Sequence, residues 1–180
     1  MTDRDIIDGL MNNGNRDHLF RLIVDKFSER LYWHVRKMVV YHEDANDILQ
    51  NTFIKAWRSL DSFRGESGLY TWLYRIATNE SLTFLKRDKI KTFFSFTDSY
   101  KNVEDRLNAD PYFSGDETQK LLYKAILSLP PKQRAVFKMR YFDDMKYEEI
   151  SEVLNTSVGA LKASYHHAYQ KIQKIIEDSV

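Results

Sequence analysis

Apolar residues recur every three or four positions along most of this chain. Phe20, Ile23, Phe27, Leu31, Val35 and Met38 predict one long helix with a single buried stripe. Ala45, Ile48, Leu49, Thr52, Phe53, Ala56, Trp57 and Leu60 predict a second, opened by His42-Glu43-Asp44. Acidic residues in a first turn suit the positive end of the helix dipole. Asp61 to Gly68 interrupts the pattern and holds two of the six glycines. A third helix follows, carried by Leu69, Trp72, Leu73, Ile76, Ala77 and Phe84. No segment alternates with the period of two that a strand needs.

Residues 96–117 break the periodicity. They are rich in Ser, Asp and Asn, include Pro111, and carry two basic against six acidic side chains. Such a segment reads as an acidic linker. Its twenty-two residues can extend to roughly 75 Å at most. The expected division is therefore residues 1–95, a linker over 96–117, and residues 118–180. The last part reads as four short helices. Leu121, Leu122, Ala125 and Ile126 mark the first, closed by Leu129-Pro130-Pro131. Pro131 opens the second, which runs to Tyr141, because proline fits the first turn of a helix. Tyr147 to Leu154 is the third, and Asn155-Thr156-Ser157 is a tight turn. Asn155 tolerates left-handed backbone and Ser157 is a good N-cap. Val158, Leu161, Tyr165, Ala168, Tyr169, Ile172 and Ile176 then share one face of the fourth. Two helices joined by a three-residue turn fit a helix-turn-helix, with Ile150, Leu154, Val158 and Leu161 between them. The fold class expected is all-α, two small helical domains on a flexible linker.

Composition narrows the chemistry. Only six glycines and three prolines in 180 residues leave few turns for a sandwich or barrel. The absence of cysteine removes disulfides, thiolate zinc sites and Cys nucleophiles. No apolar run approaches the roughly 20 residues of a membrane span, and Met1 to Asp8 is too polar for a signal peptide. Gly65-Glu66-Ser67-Gly68-Leu69 is not a nucleophile elbow, because its second glycine falls one place early. His166 and His167 are adjacent, so on a helix they point about 100° apart and chelate poorly. Glu43, Asp44 and Asp47 resemble a magnesium site only as far as any acidic helix start does. No catalytic site, metal site or cofactor is expected.

Binding is better supported. Arg64, Tyr70 and Trp72 surround a glycine-bearing loop, with Arg75 and Asn79 one and two turns on. Lys86-Arg87-Asp88-Lys89-Ile90-Lys91 lies just beyond. Aromatic faces that stack bases, interleaved with cations that hold phosphates, suit single-stranded nucleic acid. The competing explanation is that Tyr70 and Trp72 are core and the cations a solvated face. The last helix has a polar face of Lys162, Ser164, His166, His167 and Lys171. Duplex-reading helices present such a face to base edges, although an ordinary exposed face has the same pattern.

These segments resemble bacterial sigma factors of the extracytoplasmic-function group, over nearly the whole chain. Asp44-Ala45-Asn46-Asp47-Ile48-Leu49-Gln50-Asn51-Thr52-Phe53-Ile54-Lys55-Ala56-Trp57 resembles the helix by which that family grips core RNA polymerase. Phe63 to Asn79 resembles the segment that opens and reads the promoter −10 element. Leu129-Pro130-Pro131-Lys132-Gln133-Arg134 and Tyr147-Glu148-Glu149-Ile150 resemble the start of the −35-reading domain. The resemblance implies sigma region 2 over 1–95 and region 4 over 118–180. It makes Asp44, Asp47, Gln50 and Phe53 polymerase contacts, and Arg64, Tyr70, Trp72, Arg75, Asn79, Lys86 and Arg87 the melted −10 site. Asn79 is the candidate for the pocket that takes a flipped base.

The recognition helix departs from the family pattern. It has Ala160 and Ala163-Ser164 where Thr and Ser-Arg are common. Readout of −35 then leans on Ser157, Lys162 and His167, with Ser164 and His166 beside them, or on DNA shape. The implied function is a non-enzymatic, cytoplasmic transcription initiation factor with no small-molecule substrate. Its partners would be core RNA polymerase, promoter DNA and an anti-sigma factor, often membrane-anchored. The rival is a helix-turn-helix regulator that acts without polymerase; a metal nuclease is remote.

Overall fold

The computed structural model describes residues 2–12, 14–39, 41–94 and 116–179. Eight α-helices account for most of them: α1 (Asp3–Met11), α2 (Arg16–Arg36), α3 (His42–Ser59), α4 (Leu69–Phe94), α5 (Glu117–Leu127), α6 (Pro131–Tyr141), α7 (Tyr147–Leu154) and α8 (Val158–Glu177). A single 3-10 turn, Leu60–Ser62, follows α3. There is no strand among the described residues, and no helix there is long and apolar enough to cross a membrane.

The helix starts follow from side-chain chemistry. Thr2 and Asp5 form a reciprocal capping box at α1, with bonds of 3.2 and 2.7 Å. Asn15 accepts from the His18 amide at 3.0 Å and starts α2. Asp116 accepts from the Gln119 amide at 2.9 Å and starts α5. The Tyr41 N-cap makes no side-chain capping bond to α3; Glu43 and Asp44 place acidic charge in its first turn, at the positive end of the dipole. Pro131 occupies the first turn of α6, as its fixed φ favours. Between α7 and α8, Asn155 takes the left-handed conformation at φ 47°, and the Ser157 hydroxyl accepts from the Ala160 amide at 3.4 Å.

Three differences from the sequence reading have physical causes. Helix α1 went unread, because its one fully buried residue, Ile6, gives too little periodicity to see. Helix α4 runs on to Phe94, so Lys86 and Arg87 stand on it rather than beyond it. Tyr169, placed on the buried stripe of the last helix, is 48% exposed; Ala168 takes the inward position beside it. Most of the acidic linker, 96–115, and the side chains of Asp88, Lys89, Ile90 and Lys91 lie outside what is described.

Helices α2, α3 and α4 pack on one another, with α1 against α2. Thr52, Thr78 and Ser81 are buried where these helices meet, and each hydroxyl donates to a carbonyl one turn back at 2.7–2.8 Å. Short residues allow close approach there without leaving an unpaired donor. The core does not stop at the end of this bundle. Met38, Val39, Leu73 and Ala77 belong to the same buried cluster as Ala135, Met139, Ile150 and Val153 of the C-terminal half. Helix α4 packs on both α6 and α7. A separate small cluster, Ala125, Ile126, Leu129, Phe137, Ala168 and Ile172, ties α5, α6 and α8 together.

Candidate nucleic-acid interface

On α3 the inward face is filled by Ala45, Ile48, Thr52 and Ala56. Asp47 and Gln50 point outward and are exposed, whereas Asp44 and Phe53 are half-buried. Phe53 meets the edge of Phe20 at 6.3 Å, and Phe20 also contacts Trp57 at 5.1 Å. Arg16 covers the Trp57 ring at 4.3 Å, donates to the Trp57 carbonyl at 2.6 Å and pairs with Asp61 at 3.0 Å. Phe53 therefore supports the bundle whatever else it contacts. Ile54 was not singled out from the sequence, yet it is 41% exposed. With Asp47 and Gln50 it falls at i, i+3 and i+7, one continuous outer face. An exposed large aliphatic on an otherwise polar helical face was the available signal.

The loop before α4 turns at Gly65, whose φ of +70° favours glycine. Arg64 on this loop is exposed. Trp72 is half-buried against Phe63, with ring centroids 4.9 Å apart. Tyr70 is also half-buried; the Arg30 guanidinium lies 3.7 Å from its ring centroid, and Phe27 and Tyr74 flank it. Burial pushes the Tyr70 phenol up, and Arg30 offsets part of that. Arg30, on a different helix, adds a cation that the sequence reading did not connect to this site.

Arg75, Asn79, Lys86 and Arg87 are all exposed on α4. The first three repeat at i, i+4 and i+11 and share one stripe. Asn79 lines a surface cavity of about 380 Å³ between α3 and α4, together with Lys55, Arg58, Ser59, Ile76 and Glu80. Lys55 and Glu80 form an ion pair across it.

At the other end of the chain, Ile150 and Leu161 are buried between α7 and α8, with Leu154 and Val158 half-buried beside them. Val153, absent from the sequence-derived set, is buried too. Ser157, Gly159, Ala160, Lys162, Ala163, His166 and His167 are exposed, and Ser164 is half-buried. The Lys162 ammonium lies 5.8 Å from the Tyr147 ring centroid. Small residues at the start of α8 leave its backbone open to close approach. Lys171 serves the fold instead, donating to the Ser128 carbonyl at 3.0 Å and tying α8 to the end of α5. Among the described residues, no three His, Asp or Glu side chains converge as a metal site would require.

The elements define a class: an all-helical protein with a helix-turn-helix at one end and a bundle with basic, aromatic-bearing and acidic faces at the other. The family model for Sigma-70 region 2 matches residues 23–90, and that for Sigma-70, region 4 matches 119–172. Relatives include the ECF RNA polymerase sigma-E factor of Escherichia coli (strain K12), 28% identical over 98% of this chain and 95% of the relative. The Haemophilus influenzae protein of the same name is 26% identical over 98% and 96%. Among solved structures, the sigma factor RpoE of Bartonella quintana, in complex with the anti-sigma factor NepR, superposes with a TM-score of 0.68. It is 22% identical, covering 88% of this chain and 96% of that one. CnrH, in complex with the cytosolic domain of CnrY, gives a TM-score of 0.66 at 20% identity, covering 99% of each.

This chain belongs to the sigma-70 family of RNA polymerase sigma factors, in its ECF group. It is a promoter-specific transcription initiation factor. A regulator working without polymerase is not favoured, because the region 2 match covers most of the N-terminal bundle.

Proposed function

We propose that three exposed faces divide the work of promoter recognition. The outer face of α3, with Asp47, Gln50 and Ile54, docks on core RNA polymerase. Asp44 lies at its edge, and Phe53 supports it from beneath. The α4 stripe of Arg75, Asn79 and Lys86, with Arg87, Arg64 and the half-buried Tyr70 and Trp72, holds the melted −10 strand. The cations bind phosphates, and the cavity beside Asn79 is roomy enough for one unstacked base. The α8 face of Ser157, Lys162, Ser164, His166 and His167 reads the −35 duplex. The N-terminal part, 1–95, and the C-terminal part, 118–180, act as the two reading units on either side of the 96–117 linker.

One observation carries this reading. The region 2 and region 4 matches fall in that order on one chain, each over helices with an exposed face. The protein performs no chemistry of its own and works in the cytoplasm. Two structural neighbours were solved with an anti-sigma factor or a partner's cytosolic domain, and an anti-sigma partner is proposed here as well. Its membrane attachment is a further expectation. The test is in vitro transcription from a genomic library with core polymerase, mapping start sites, alongside a gel-shift titration of the free protein. Polymerase-dependent starts at a shared −35/−10 pattern support the reading. Nanomolar specific duplex binding by the free chain, without polymerase-dependent starts, refutes it.

A further inference from the structure

Beside the shared apolar core, one carboxylate bridges the two halves. Asp143, in the turn between α6 and α7, accepts from the Lys37 ammonium at 2.6 Å and from the Tyr74 hydroxyl at 2.8 Å. Lys37 ends α2 and Tyr74 lies on α4, so both donors come from the N-terminal bundle. His34 Nδ1 stands 3.8 Å from the same carboxylate. The Thr78 hydroxyl donates to the Tyr74 carbonyl at 2.8 Å, so its oxygen accepts from His34 Nε2–H at 2.9 Å. Nδ1 is left as a bare lone pair with no hydrogen-bond partner.

The charge around Lys138, on α6 shortly before Asp143, is lopsided. Lys37 and Arg36 approach from the N-terminal bundle, and Arg134 and Lys138 from α6; Lys138 is only 3% exposed. Burial, Arg134, Lys37 and Arg36 push the Lys138 ammonium well down, and Asp143 acts against them. Burial would raise its carboxyl, but the Lys37 ammonium and the Tyr74 hydroxyl hold it well below the usual carboxylate range. Removing that negative charge leaves the Lys37 ammonium without its carboxylate partner at the junction.

The docked arrangement cannot serve both promoter elements. Positions −10 and −35 lie about 25 base pairs apart, roughly 85 Å along a duplex. A compact chain of 180 residues has a radius of gyration of about 16 Å and spans about 40 Å. The halves must part before both elements are engaged.

We infer that Asp143 is a self-latch: it holds region 4 on the bundle in the free protein, and promoter engagement requires that contact to break. The inference rests on the two-element reading above for its consequence, but not for the latch itself. When only a fraction of the protein is unlatched, its affinity for a two-element promoter is reduced to that fraction of the intrinsic value.

Solution scattering of the free chain tests the latch without polymerase. The wild type should have a radius of gyration near the compact value, and Asp143→Asn should raise it by a third or more at unchanged helicity. If Asp143→Asn loses helicity, Tyr74→Phe, which removes one hydrogen bond and no charge, should produce a smaller expansion. An extended wild type, or compact folded variants, overturns the latch. With limiting core polymerase, Asp143→Asn should increase transcription from a two-element promoter several-fold. Equal transcription despite expansion overturns the inhibitory role. Absence of promoter-dependent transcription from wild type and variant alike, with expansion intact, would instead count against the promoter reading.

Discussion

The guanidinium of Arg134 donates to the backbone carbonyl of Met38, 96 positions earlier in the chain, at 3.2 Å. The same group closes the turn after α5, donating to the carbonyls of Leu127 and Leu129 at 2.6 and 3.3 Å. Burial pushes its pKa down to about 10, which leaves it charged at neutral pH. Truncation would strand three carbonyls. Arg134→Ala should cost about 3 kcal/mol in urea unfolding. Arg134→Lys should recover little, because one ammonium nitrogen cannot span carbonyls that two separate guanidinium nitrogens reach.

The outer face of α3 separates binding from folding. Asp47→Ala combined with Gln50→Ala should weaken core-polymerase binding at least tenfold, about 1.4 kcal/mol, at constant melting temperature. Ile54→Ala should act in the same direction. Phe53→Ala should instead lower the melting temperature, because its ring packs on Phe20. Competition with wild type for core polymerase, run beside thermal melts, distinguishes the two classes. Equal affinity of the Asp47/Gln50 double variant would sink the assignment.

The α4 stripe should act through charge. Lys86→Ala or Arg87→Ala should reduce affinity for forked −10 DNA and lower the salt slope by about 0.7 per cation. The defect should shrink at high salt. Trp72→Ala should act through folding, because that ring supports Phe63; it should lose roughly 3 kcal/mol of stability. Fluorescence anisotropy across a salt series, with a melt for each variant, checks both.

The helix-turn-helix depends on two residues at its corner. Asn155 has φ 47°, so Asn155→Gly should be neutral or slightly stabilising, whereas Asn155→Val should be clearly destabilising. Ser157→Ala removes the cap of α8 and should cost about 1 kcal/mol. Urea denaturation of the full chain would test all three.

Acid should weaken the protein in two stages. Burial holds His34 below its ordinary value of 6.5, and Asp143 offsets only part of this. The unfolded chain then binds the proton more readily. His34's contribution is complete above 6.5 and is lost as pH falls through the lower folded value. Asp143 is held below its ordinary 3.8, so its contribution is complete above that pH and lost only further down. Melts between pH 8 and pH 4 should show the first stage, and His34→Gln should flatten it. An unchanged slope in that variant would contradict the assignment.

Most features set by contacts between near neighbours are legible in the residues alone. The breaks at Asp61 to Gly68 and at Asn155 to Ser157, the opening of α6 at Pro131 and the length of α7 follow from residues a few positions apart. The family resemblance was legible for the same reason, because its motifs are contiguous strings. Helix α1 escaped notice because one buried isoleucine does not make a period. Tertiary structure decided which members of each stripe are core. Tyr169 faces outward because Ala168 lets α8 approach α6 closely, and Tyr70 is covered by Arg30 from a helix far earlier in the chain. It also brings Asp143, two residues past the end of α6, to Lys37 and Tyr74 in the other half of the chain. Contacts across 106 positions leave no periodic trace, since they depend on how packed helices bring remote side chains together.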